Sequence, residues 1–87
     1  MSKSSYFVTL HNVTVRKRIM PTPIGDYEYK AWMLYELIVP LDRIITIYKL
    51  GDDCYLEANI SLCVSYDEIL ISESDYDEIQ TALNYYG

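Results

Sequence analysis

Residues 27–39 read Tyr27-Glu28-Tyr29-Lys30-Ala31-Trp32-Met33-Leu34-Tyr35-Glu36-Leu37-Ile38-Val39. The odd-numbered positions, from Tyr27 to Val39, are all apolar or aromatic. The even-numbered set holds Glu28, Lys30, Trp32, Leu34, Glu36 and Ile38. A period of two belongs to an extended strand, because successive side chains point to opposite faces. The odd-numbered face is expected to pack on a core. The even-numbered face starts polar and turns apolar, so burial should increase toward Pro40, which ends the strand.

Upstream, Met20-Pro21-Thr22-Pro23-Ile24-Gly25-Asp26 breaks any ladder and reads as a loop. Tyr6 to Ile19 reads as a strand or a bent pair of strands. Tyr6, Val8 and Leu10 share one parity, and Phe7, Val13, Val15 and Ile19 the other. That change of phase near His11-Asn12 predicts a bulge or a change of face. Downstream, Arg43 to Leu50 is β-branched and fits a strand, and Gly51-Asp52-Asp53 is a turn. Cys54, Leu56, Ala58, Ile60, Leu62 and Val64 alternate, and 54–64 reads as one half-buried strand forming a hairpin with the preceding one. Tyr66-Asp67-Glu68 is a further turn, and Ile69-Leu70-Ile71 a short last strand.

Ser72-Glu73-Ser74-Asp75 opens a helix. Ser72 with Asp75, or Ser74 with Asp77, has capping-box spacing. Tyr76, Ile79, Leu83 and Tyr86 fall on one helical face, and Gly87 is placed to close the helix. The whole predicts a single α+β domain over 1–87. It has four or five mostly antiparallel strands and one C-terminal helix packed on the sheet.

The 87 residues, 51% of them apolar, suffice for one modest core. Ten tyrosines against one Phe and one Trp suit half-buried sheet faces and interfaces. No secretory signal is visible, and no run approaches the ~20 apolar residues that span a bilayer. A cytoplasmic protein with no membrane partner is the expectation. Cys54 and Cys63 on one strand would stand about 30 Å apart, so they read as reduced thiols, one of them buried.

Charge is the other informative feature. All seven Lys and Arg residues lie at or before position 50, alongside four acids. The remainder carries nine acids and no base, within a net charge of −6. Such an asymmetry governs what a surface attracts. Asp67, Glu68, Glu73, Asp75, Asp77 and Glu78 are the candidate partner-binding residues, with Tyr66 and Tyr76 as aromatic anchors. Four of these acids open the helix, where negative charge also suits the macrodipole. The turns at 51–53 and 66–68 are expected at one end of the sheet beside the helix start, which would gather the acids into one patch.

Catalytic constellations are missing from the sequence. One histidine, His11, makes no zinc set and no nucleophile signature, and no glycine-rich phosphate loop occurs. No enzyme, metal or cofactor is expected. Arg16-Lys17-Arg18 is the only basic cluster, and a strand divides it between two faces. It reads as charge guarding an edge strand, so no direct nucleic-acid contact is expected.

From Val39 onward the pattern resembles the small FlbD-type flagellar domain. The matching residues are Asp42, Ile44 and Ile47, then Ile60 and Leu62, then Ile69 and Ile71, closed by Glu73-Ser74 and Tyr76-Asp77-Glu78-Ile79. Tyr66-Asp67-Glu68 stands where that family has a glycine, and the first 38 residues are additional. The resemblance implies a sheet-plus-helix architecture without catalysis and does not imply a flagellar role. In size, acidity and lack of catalytic motifs the chain also resembles small phage-encoded inhibitors of the anti-CRISPR and antirestriction type.

The function expected from this reading is that of a non-catalytic acidic binding protein, a phage or mobile-element inhibitor. It would occupy a basic, nucleic-acid-binding surface of a host defence or nucleic-acid-handling protein. The alternative is a self-associating structural module, a homodimer formed through an edge strand or the Trp32, Leu34 and Ile38 face.

Overall fold

The computed structural model describes residues 6–19 and 28–86. The loop expected over 20–26 and the closing role of Gly87 lie outside them. The longest ladder joins β1 (Phe7–Ile19) to β2 (Glu28–Pro40). It keeps one register from Phe7 opposite Pro40 to Ile19 opposite Glu28, interrupted only between His11 and Val13. A short 3-10 turn at Leu41–Arg43 leads to β3 (Ile44–Leu50), which forms a hairpin with β4 (Asp53–Ala58). Gly51 lies between them at φ 60, a left-handed conformation that glycine adopts without Cβ strain. β5 (Glu68–Ile71) and helix α1 (Glu73–Tyr86) complete the fold. The sheet order is β2-β1-β5-β4-β3, with every neighbouring pair antiparallel. The architecture is therefore α+β, a five-stranded antiparallel sheet with a single C-terminal helix.

The phase change read at His11-Asn12 is present. Val8 and Leu10 are buried on one side of it, Val13 and Val15 on the other, and Asn12 has φ 54. Asn enters this region more readily than other non-glycine residues. Because the register never slips, β2 changes face at the same level. Val8 faces Val39, Leu10 faces Leu37, Val13 faces Leu34, and Val15 faces Trp32. The inward residues of β2 are thus Val39, Leu37, Leu34 and Trp32. This corrects the single odd-numbered core face: Tyr29 is exposed, and Met33 and Tyr35 are 62% and 82% exposed. A strand's buried face is set by its partner, and alternation alone cannot register a partner's kink.

Two further expectations are corrected. The strand read over 54–64 stops at Ala58. The β3 ladder ends there, after Ala58 pairs with Ile44 and the Asn59 N–H reaches the Arg43 carbonyl at 2.7 Å. Ile60, Leu62 and Val64 still pack against the core, but from an irregular crossing, bent at Cys63 and Val64, that carries the chain to β5. And β1 is not an edge strand as a whole: over Thr14–Arg16 it lies between β2 and β5, and only Lys17 and Arg18 of its basic cluster lie beyond that pairing.

One sheet face holds the core, formed by Val8, Leu10, Val13, Val15, Val39, Cys54, Leu56, Ile69 and Ile71, with Leu41 and with Ile79 of α1. The helix starts with the Ser72–Asp75 arrangement, in which the Asp75 N–H donates to Ser72 Oγ at 3.0 Å. The opposite face carries no element among the described residues.

Candidate functional site

The acids of the C-terminal segment divide into those that hold the sheet together and those that face outward. Asp75 is 6% exposed and is the only buried charged side chain among the described residues. β5 pairs with β1 only over Thr14–Arg16, and beyond Ile71 the chain turns into α1. The His11 N–H therefore has no strand partner on that side. Asp75 Oδ2 accepts its hydrogen bond at 3.0 Å, so a carboxylate stands in for a strand. His11 contributes here through its backbone.

Asp67 does the same at the other end of β5. Its N–H donates to the Arg16 carbonyl at 2.8 Å, and its Oδ2 accepts the Arg18 N–H at 2.7 Å. Glu68 lies opposite Arg16 and pairs with its guanidinium, whose Nε donates at 3.0 Å. Arg16 also donates to the Tyr55 hydroxyl at 3.4 Å and lies 4.8 Å from the Tyr29 ring centroid. The hydrogen bond to Glu68 raises the Arg16 pKa, outweighing the opposing effect of burial. Tyr66 is tied down as well: its hydroxyl donates to the Ile60 carbonyl at 2.9 Å and braces the crossing segment.

The remaining acids are different. Glu73 is exposed and lies 3.9 Å from the exposed Lys49 Nζ, a pairing of little energetic weight in water. The Lys49 ammonium sits 4.7 Å above the Tyr76 ring. Asp77 and Glu78 are exposed. With Thr81, Ala82 and Tyr85 they line a shallow groove along the outer side of α1.

The expected single patch does not form. Cys54 faces Ile71, so the turn at 51–53 does lie beside the helix start. Leu56 faces Ile69, which places Asp67 and Glu68 at the far end of β4 and β5. Antiparallel pairing separates 51–53 from 66–68 by the length of the strands, and the turn expected at 66–68 is only a bend at Asp67, with Glu68 already in β5. Asp52 and Asp53 join Glu73 at one end, and Asp67 and Glu68 meet the arginines of β1 at the other.

Sequence reasoning did not bring out two other groups. On the uncovered sheet face, Met33, Thr14, Leu70, Tyr55 and Tyr48 form a row across all five strands. Tyr48 and Tyr55 stack there with centroids 5.1 Å apart. Where β1 runs out, Lys17, Arg18, Ile19, Lys30, Trp32, Val64 and Ser65 line a cleft. The hairpin register that joins Lys17 to Lys30 was the missing signal.

Cys54 is buried, Cys63 is exposed, and both are free thiols. Among the described residues no group of His, Cys, Asp and Glu is placed to hold a metal ion, and no helix is long and apolar enough to cross a membrane. No family model, curated protein or solved structure matches this chain.

Proposed function

We propose that this protein is a non-catalytic binding domain that docks on a basic protein surface through the outer side of α1. The observation that carries the reading is the division of the acids. Asp67, Glu68 and Asp75 are committed to β1. Glu73, Asp77 and Glu78 project from the exposed helix, with Asp52 and Asp53 beside its start. The groove between Asp77, Glu78 and Tyr85 offers apolar contact within an acidic rim, the arrangement in which charge steers encounter and an aromatic ring anchors. Carboxylates in this array imitate the phosphates of a nucleic acid. The partner is then a nucleic-acid-handling protein of a host defence system, and the protein a stoichiometric inhibitor of the kind phages encode.

The test is a pull-down at low and high salt followed by charge reversal. A captured basic nucleic-acid-binding protein should be released by salt and lost with Glu73→Lys/Asp77→Lys/Glu78→Lys. Capture that survives both changes sinks the reading.

A second reading, self-association, has its own observation. β2 is a 13-residue edge strand with Met33 and Tyr35 strongly exposed. Such an edge invites pairing with another strand. Sedimentation at micromolar concentration decides it, since a strict monomer excludes a functional dimer.

A further inference from the structure

We propose that the cleft where β1 runs out binds a nucleoside phosphate, its phosphate held between Lys17 and Lys30 and its base laid against Trp32. Lys17 and Lys30 are directly opposed in the β1–β2 ladder. Directly opposed residues hold their Cβ atoms only about 5 Å apart, and like charges so placed repel. Both are exposed. An anion between the two ammonium groups removes the repulsion and uses both charges.

The rest of the cleft suits what a nucleoside carries. Trp32 lies two residues beyond Lys30 on β2, hence on the same face, and is half-buried. Ile19 and Val64 add apolar wall, and Ser65 adds a hydroxyl. An indole beside paired cations is the combination that takes a base and a phosphate together. The surroundings favour one nucleotide over a strand. The chain carries −6 overall, and Asp67 and Glu68 line the adjoining depression on the far side of Arg18. A polyanion leaving the cleft in that direction meets carboxylates. This site is separate from the helix groove, so its failure would leave the docking proposal standing.

Trp32 is the only tryptophan, so intrinsic fluorescence reports on the cleft directly. The experiment titrates the full chain at low salt with adenosine monophosphate, adenosine, inorganic phosphate and oligothymidylates of increasing length. The monophosphate should quench saturably at one per chain. Adenosine or phosphate alone should bind roughly tenfold more weakly, each lacking one half of the recognition. Lys17→Gln/Lys30→Gln should weaken the monophosphate by roughly tenfold or more, while raising Tm at low salt because the repulsion is gone. Thermal shift by the monophosphate gives a readout independent of Trp32. Absence of saturable binding, equal affinity for inorganic phosphate, or indifference to the double substitution overturns the proposal. Affinity that climbs with oligonucleotide length also overturns it, since the ligand is then a single strand.

Discussion

Asp75 and Asp77 are separated by one residue, yet they belong to different parts of the molecule's economy of charge. Asp75 lies one turn before Ile79, on the helical side that meets the sheet, and it ends up buried against β1. Asp77 falls on the outer side with Glu78, in water. Asp67 and Glu68 repeat the first case at the opposite end of β5, where β1 presents Arg16 and Arg18. A run of like charge is therefore no unit of function. Each carboxylate takes the role its position relative to β1 allows.

Substitutions can break that comparison. Asp75→Ala has the largest expected effect, because it leaves the His11 N–H unpaired. A loss of about 2–3 kcal/mol is expected, seen as a lower urea midpoint and a fall in Tm on the order of 10 °C. A change no larger than that of an exposed acid would erase the distinction. Glu68→Gln comes next. The pair is about one-quarter exposed at each side chain, so solvent screening limits the expected loss to about 1 kcal/mol, shrinking further in high salt. Because Arg16 has its pKa raised, its contribution is complete below its ordinary value and disappears only as pH rises through the raised one. Stability followed from pH 6 to pH 9 should carry no Arg16 titration. Asp77→Ala/Glu78→Ala has the smallest expected effect, within about 0.5 kcal/mol by the same denaturation measurement. A larger destabilisation would show that the outer acids are structural too.

The features legible in the sequence are those that depend on neighbours along the chain. Alternation marked the strands, the parity change found the kink at Asn12, and Ser72 with Asp75 marked the helix start. What the sequence concealed depends on residues far apart. The buried face of β2 follows from a kink in β1. The end of β4 follows from where β3 begins, and Ile60, Leu62 and Val64 keep alternating beyond it because a segment outside the sheet can still pack alternate residues on the core. The candidate acids were legible as a group, and their division was not. Arg16 meets Glu68 across 52 residues, and His11 meets Asp75 across 64. Neither separation leaves a local trace.

The placement of β5 has a kinetic consequence. β1–β2 and β3–β4 are hairpins that can zip from nearby residues, whereas the strand uniting them has four residues and meets β1 more than fifty positions away. Closing so long a loop is entropically costly, and the reward arrives only when β5 bonds on both edges. Pairing of the two hairpins with this short central strand is then expected to be the late step of folding. Hydrogen exchange should find the amides facing β5 opening before those within either hairpin.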